Sequence, residues 1–450
     1  MKIHFIGIDG ISMSALAAIM QHNGHLVSGS DLKISPLSQR LIDNGATVFL
    51  EQVAKNIDEV NPDKVVYTAA IKDTNEELIA ARKLGIPVLE RAEFLGELTA
   101  EYSKSIAVAG SHGKTTTTAM LATALIKGKA NPTALVGGNL GFISGNVYIG
   151  NSDILLTEAC EYVETFLHLK PYIGIILNVD RDHLDYFKNL GHITRSFNAF
   201  GKKIESNGYL VINGDDQKST AITNDLSCKI ITFGLDSKND WVAKNIVYDK
   251  GGSKYTAVYK NDITIDIELR VPGKHNIYNS LSVLASCYIL NLDLNNIKKA
   301  LYDYMGTKRR FEKRGFLNEA CLVDDYAHHP KEISTTLQAA RDSIKPKRLI
   351  VAFQPHTYTR TKSLLAEFAG AFAAADKVII THTYAAREPY DPTADSKTLT
   401  MAISECHPDV CFIESYNDVA KKIKQVLQPQ DLFITMGAGP IDKVIDILLK

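Results

Sequence analysis

Ser105-Ile-Ala-Val-Ala-Gly110-Ser111-His112-Gly113-Lys114-Thr115-Thr116-Thr117 reads as a buried strand, a glycine turn and the first residues of a helix. Each residue type has a reason to be there. Gly110 and Gly113 let backbone amides approach phosphate oxygens, and the helix N-terminus adds partial positive charge. Lys114 is placed to reach the β- and γ-phosphates of a nucleoside triphosphate, and the Thr115 hydroxyl to sit on Mg²⁺. A bare glycine turn before a surface lysine would explain the apolar strand less well. The usual form of this loop has glycine at position 108, where this chain has Val108, a departure that points away from generic GTPases and motors.

Outward from this loop, strands alternate with helices throughout, the pattern of mostly parallel sheets covered by helices. A short β-rich run opens a new series three times. Lys2–Ile6 begins the first, with a helix over 13–23 and a strand over 26–28. Ser105–Ala109 begins the second and leads into a helix over 113–127. The third starts near 320–323 and continues with strands near 348–353, 377–381 and 431–436. Between 208 and 271 the alternating runs 230–233 and 255–259 predict antiparallel hairpins. Boundaries are expected near 99–103 and 306–311, giving domains 1–102, 103–310 and 311–450.

Lysine and arginine number 50 against 51 aspartate and glutamate, for a net charge of −1. That balance gives no basic field for nucleic acid or a membrane surface, so anionic ligands must be held by loop amides and a few placed cations. The six cysteines include no CxxC pair, which fits a reducing cytoplasm rather than a disulfide framework or zinc site. No apolar run approaches the ~18 residues of a membrane span. A cytoplasmic protein, monomeric or weakly dimeric, is expected.

Gly110-Ser-His-Gly-Lys-Thr-Thr-Thr is similar to the GTHGKTTT loop of the Mur ligase family, and further motifs of that family follow in order. Leu155-Leu-Thr-Glu158-Ala-Cys-Glu161-Tyr resembles its glutamate-bearing strand end, and Asn178-Val-Asp180-Arg-Asp182-His183-Leu-Asp185 its DHLD segment. By this resemblance Glu158 and His183 join Thr115 around the metal, with Asp182 and Glu161 left to fix the loop. Mg²⁺ prefers oxygen ligands, which suits that set. Gly273-Lys-His275-Asn276-Ile-Tyr-Asn279 resembles the family's G-x-H-N-x-x-N helix. Asn276 and Asn279 share one helical face, and their amides can read an adenine edge. Lys308-Arg309-Arg310-Phe311-Glu312 contains a match to the RRFE junction, making Arg310 the phosphate-contacting arginine. No lysine lies in 194–200, where several relatives carry a modified one, and this resembles the alanine-adding branch.

Further on, Asp324-Asp325-Tyr326-Ala-His328-His329-Pro330 is similar to the D-D-Y-A-H-H-P run of that branch. The resemblance gives Asp325 a contact to the ATP ribose, and it makes Tyr326, His328, His356 and Arg360 the amino-acid pocket, with Arg360 on the carboxylate. Some members have a second arginine where this chain has Thr357. The segment Tyr384-Ala-Ala-Arg387-Glu resembles another family run, to which no role attaches. In the first domain, Gly7-Ile-Asp9-Gly10-Ile-Ser12-Met13 resembles the loop that holds a UDP-sugar, with Gly29-Ser30-Asp31 completing it. Asp9 stands where the family has glycine and would bring negative charge towards a pyrophosphate.

The fold implied is α/β in three domains. A Rossmann-like N-terminal domain precedes a P-loop central ATPase domain with a parallel sheet plus a small antiparallel sheet, and a Rossmann-like C-terminal domain follows. The activity implied uses ATP and Mg²⁺ to activate the lactyl carboxylate of UDP-N-acetylmuramate as an acyl phosphate, which L-alanine then attacks. Lys114, Glu158, His183 and Arg310 carry the catalysis, while Gly110, Ser111, His112, Gly113, Thr115, Thr116, Asn276, Asn279 and Asp325 complete the ATP site. Three rivals stay open: a sister or recycling ligase using another amine, a P-loop switch or transport ATPase, and a nicotinamide dehydrogenase built on Gly7–Asp31.

Overall fold

Strands β1 (Lys2–Ile6), β2 (Leu26–Ser30), β3 (Thr47–Phe49), β4 (Lys64–Tyr67) and β5 (Val88–Glu90) open the chain. They form an all-parallel sheet in the order β3-β2-β1-β4-β5. Ile3, Phe5 and Ile6 are fully buried, as expected of a strand covered by helices on both faces. The strand order reverses direction at β1, and crevices at such a switch point are where open parallel sheets take ligands. The loop Gly7–Gly10 leaves the sheet there.

The computed structural model describes residues 1–138, 145–183 and 186–450. Its chain packs into two compact units, Met1–Val179 with Ile193–Ile231, and Asp180–His192 with Thr232–Lys450. Among the described residues no helix is long and apolar enough to cross a membrane.

The first unit contains a second parallel set: β6 (Lys104–Ala109), β7 (Thr133–Leu135), β8 (Val147–Tyr148), β9 (Ile154–Glu158), β10 (Ile173–Ile176) and β11 (Tyr209–Asn213). β6 lies between β9 and β10, parallel to both. β11 continues beyond β10, and β7 beyond β9 with β8 antiparallel to it. Val108 pairs with Glu158 on one side and Ile175 on the other, and it is fully buried. Position 108 is therefore part of the strand, and the phosphate loop starts at Gly110.

β12 (Lys229–Gly234) carries the chain into the second unit, followed by β13 (Trp241–Asp249), β14 (Gly252–Tyr259) and β15 (Ile263–Leu269). The last three form an antiparallel meander, as expected for 255–259. The run 230–233 departs from expectation, because Phe233 and Gly234 pair with Trp241 and Val242 in parallel. Alternation reports that one face is buried and carries no information on strand direction. Asp240 fixes the return by accepting hydrogen bonds from the Thr232 amide and hydroxyl.

The last sheet comprises β16 (Glu312–Leu317), β17 (Ala320–Asp325), β18 (Leu349–Phe353), β19 (Lys377–Ile380), β20 (Val410–Phe412) and β21 (Leu432–Met436). Their order is β16-β17-β21-β18-β19-β20. Only β16 runs antiparallel among these pairings. Helices bury both faces, Val323, Phe353 and Phe368 lying in one core and Leu322, Ile350 and Phe433 in the other. The carboxyl ends of β17, β18, β19 and β21 present loops to one edge.

Candidate active site

In the first unit the phosphate loop is held from β10. The Asn178 side chain accepts from the His112 amide at 2.9 Å and donates to the His112 carbonyl at 3.0 Å. Its own carbonyl accepts from the Ser111 amide. Gly110 has φ +138°, and a Cβ there would meet Leu177 Cβ at 3.0 Å and the Asn178 nitrogen at 3.3 Å. Gly113, at φ +89°, leads into the helix Lys114–Lys127 with no side-chain cap, which leaves first-turn amides for an anion. Thr116 lies in that first turn.

Lys114 donates to Glu161 at 2.7 and 3.0 Å and to the Gly110 carbonyl at 2.6 Å. Burial disfavours its charge, but the pull of Glu161, Cys160 and Glu158 prevails and its pKa lies above the ordinary lysine value. Glu161, read from sequence as a loop support, is the ion-pair partner of the central lysine. A charge pair 47 positions apart leaves no local signal in a sequence.

Thr115 Oγ1 donates to Glu158 Oε2 at 3.1 Å, and Glu158 Oε1 accepts from the Gly137 amide at 2.7 Å. A Cβ on residue 137 would lie 2.5 Å from that oxygen, so glycine is needed for the carboxylate to rest there. A hydroxyl and a carboxylate side by side suit Mg²⁺, which keeps waters and phosphate oxygens as its remaining ligands. Among the described residues no group of three or more His, Cys, Asp or Glu could hold a metal ion.

The first loop explains Asp9. Its carboxylate accepts from the Ser35 amide and the Ser38 hydroxyl at 3.1 and 2.7 Å, as well as from the Ser35 hydroxyl. Burial opposes its ionisation, yet these bonds prevail and hold its pKa below the ordinary range. Asp9 thus bonds to the start of the helix Pro36–Asp43. Asp31 is also engaged, accepting from the Asp9 and Leu32 amides at 2.9 and 2.7 Å, so it braces the loop. Gly7 has φ +86°, and a Cβ there would meet Thr68 at 2.7 Å. Gly10 begins the helix Ile11–His22 without a side-chain cap. Ser12 contacts Arg91 at 3.5 Å, while Met13 is buried. Beneath the loop, fully buried Glu77 accepts from Ser30 and Asn56 and contacts His4 Nε2 at 3.2 Å.

In the second unit the adjacent Arg309 and Arg310 divide in role. Arg309 donates to Asp324 at 3.0 Å and to the Gly437 and Gly439 carbonyls at 2.7 and 2.8 Å. Asp324, which the sequence left without a role, is fully buried and also accepts from Thr435. The Arg310 guanidinium lies over the Tyr326 ring at 4.9 Å, and its donors meet no hydrogen-bond acceptor among the described residues. Asp325 accepts from the Phe311 and Ala327 amides at 2.7 and 2.8 Å. Burial raises its carboxyl to about 6 against the opposing pull of Arg310. Asn279 donates to Asn276 at 3.1 Å and Asn276 to the Pro272 carbonyl at 2.7 Å, so the pair is buried and mutually braced. His183 has φ +53°, its Nε2 4.0 Å from Asp182. Leu184 and Asp185 of the same motif lie outside the described residues.

The four pocket residues cluster. Ring centroids run Tyr326–His328 at 5.4 Å, His328–His356 at 5.6 Å and His356–Tyr384 at 5.7 Å. Arg360 donates to His356 Nδ1 at 2.8 Å and lies 3.8 Å from Asp182. Tyr384, without a role in the sequence reading, extends this row and holds its backbone, its amide donating to Pro355 and its carbonyl accepting from Thr357. Thr357 occupies φ +63°, ψ 145° and its hydroxyl caps the helix Tyr358–Ser363. A β-branched residue in that conformation is strained and persists only where neighbours fix it. The residue in place of an arginine thus performs a cap that arginine cannot.

Comparison with known proteins gives one pattern. Residues 2–103 match the model described as Mur ligase family, catalytic domain, residues 108–287 the Mur ligase middle domain, and residues 309–439 the Mur ligase, glutamate ligase domain. A protein of Caldanaerobacter subterraneus subsp. tengcongensis named UDP-N-acetylmuramate–L-alanine ligase is 46% identical over 450 residues, covering 100% of this chain and 97% of its own. The crystal structure of UDP-N-acetylmuramate–alanine ligase from Thermotoga maritima superposes with a TM-score of 0.80 at 29% identity, covering 100% of this chain and 98% of that one. A murein peptide ligase from Psychrobacter arcticus gives a TM-score of 0.69 at 26% identity, with 100% and 98% covered.

Proposed function

The chain belongs to the Mur ligase family, and from that premise we propose that it joins L-alanine to the lactyl carboxylate of UDP-N-acetylmuramate, with ATP converted to ADP and phosphate. One observation carries this reading: 46% identity along the whole chain to a relative named for that reaction. The phosphate loop, with Lys114 and the Thr115–Glu158 pair, supplies the chemistry the reaction needs.

The lactyl carboxylate attacks the γ-phosphorus and ADP leaves. Lys114, turning from Glu161 to the phosphates, and Arg310, whose donors are uncommitted, stabilise the charge that spreads over the transferring group. Thr115 and Glu158, with His183, would hold Mg²⁺, which when bound neutralises phosphate charge. Arg360 takes the carboxylate of L-alanine, and the row of rings from Tyr326 to His356 walls the small side chain. The amine attacks the acyl phosphate, and phosphate departs from the tetrahedral intermediate. Gly7, Gly10, Ser12, Met13 and Asp31 mark the UDP-sugar loop, where Asp31 acts as a brace. Asn276, Asn279 and Asp325 belong to the ATP site in this reading. The protein works in the cytoplasm as a monomer or weak homodimer.

The test is phosphate release measured with each substrate omitted in turn. Release should require ATP and both UDP-N-acetylmuramate and an amine for turnover, with L-alanine preferred over longer peptides. Preference for a peptide would convert the reading to a recycling ligase. ATP turnover with neither co-substrate would place the chain among switch or transport ATPases.

A further inference from the structure

The two pocket histidines stand in opposite tautomers. A guanidinium only donates, so the 2.8 Å contact from Arg360 makes His356 Nδ1 an acceptor and leaves that ring's proton on Nε2. A peptide carbonyl only accepts, so the 2.9 Å contact of His328 Nδ1 with the Tyr326 carbonyl fixes the proton of this ring on Nδ1. Glu332 lies 3.4 Å from the same nitrogen and also accepts from the His328 and His329 amides. The ring is doubly oriented from one side. Its other nitrogen, Nε2, carries a bare lone pair that meets no hydrogen-bond donor among the described residues. The side chain is 17% exposed, so the lone pair is reachable from the pocket.

We propose that His328 Nε2 is the general base that takes a proton from the ammonium group of the amino-acid substrate, and that His356 is excluded from this role by Arg360. The proposal rests on the ligase reading above. An amino acid arrives as a zwitterion, and its nitrogen cannot attack until one proton leaves. That proton passes to Nε2, giving an imidazolium whose Nδ1–H remains on the Tyr326 carbonyl beside Glu332. The freed lone pair forms the C–N bond at the acyl phosphate carbon. The carbon–oxygen bond to phosphate breaks, and the departing phosphate takes the second nitrogen-bound proton. The imidazolium then returns its proton to solvent.

The charged and titratable groups around the ring agree with a base that is neutral before catalysis. Burial is the largest influence and lowers the His328 pKa, Arg360 lowers it further, and Glu332, the Tyr326 carbonyl and Asp182 oppose. His356, 5.6 Å away, is held at about 4 by burial, Arg360 and His328. Both rings are therefore uncharged at neutral pH.

The test compares His328→Gln with His356→Gln. At neutral pH, ligation of L-alanine by His328→Gln should fall by about 10²–10⁴-fold. The acyl phosphate should still form and be trapped as a hydroxamate by hydroxylamine, which is unprotonated at that pH and needs no base. The acid limb of kcat/KM for L-alanine should vanish in this variant. In His356→Gln that limb should persist, with a raised KM for L-alanine. Ligation by His328→Gln at the wild-type rate would overturn the assignment, and so would loss of hydroxamate together with ligation. Absence of hydroxamate with the unaltered protein, ATP and UDP-N-acetylmuramate would instead overturn the ligase reading itself.

Discussion

Removing the Asn178 side chain tests how the phosphate loop is shaped. Asn178→Ala deletes two hydrogen bonds, one to the His112 amide and one to its carbonyl. It leaves the backbone contact from Ser111 to residue 178 in place. Hydrogen bonds of this kind contribute about 1 kcal/mol each, so about 2 kcal/mol of loop organisation is lost. Tenfold in affinity corresponds to about 1.4 kcal/mol, which gives about a 30-fold weaker interaction with ATP. Because the bonds exist before and during the reaction, the loss belongs in KM for ATP, with kcat nearly unchanged. The assay is phosphate release with ATP varied and the other substrates saturating. An unchanged KM for ATP would refute the reasoning, and an equal rise in KM for UDP-N-acetylmuramate would show general unfolding instead.

Arg360→Ala should raise KM for L-alanine by about 10- to 100-fold, as loss of a charge-assisted contact does; an unchanged KM would move the pocket elsewhere. Glu77→Ala leaves the partners Ser30, Asn56 and His4 around an empty buried position. It should cost about 3 kcal/mol, read as a lower melting temperature and a raised KM for the UDP-sugar, and unaltered melting would refute the packing argument. The Asp325 carboxyl, raised to about 6 by burial, favours folding in its protonated form. Its contribution is present below the ordinary carboxylate range and fades as pH rises through about 6. The stability of the wild-type protein relative to Asp325→Asn should therefore decline over that interval, and a difference independent of pH would contradict the burial assigned to Asp325.

The parallel strands were legible because continuous apolar runs such as Ile106–Ala109 and Leu349–Phe353 end at glycine or polar turns. The strand, glycine turn and helix start around 105–117 were legible because an apolar run ends there at two closely spaced glycines. Edge strands were not. Glu312–Leu317 carries charge on an exposed edge and Val410–Phe412 is only three residues long, so neither has a period to detect. Residues acting over distance were equally hidden. Glu161 looked like a loop carboxylate until Lys114 was brought to it, and Asp9 looked like an intrusive charge until the Ser35–Ser38 turn folded over it. Arg309 and Arg310 are chemically identical in sequence. Only the positions of Asp324 and the 437–439 carbonyls decide which one is spent on structure.

The grip of Arg309 on Asp324, Gly437 and Gly439 has a mechanical consequence. It fastens the entrance of the carboxyl-terminal domain to its final strand, β21, so the segment at 309 and the turn at 437–439 form one rigid block. Arg310, next in the chain, then starts from an anchored backbone, so its guanidinium is left to move by its own side-chain torsions alone.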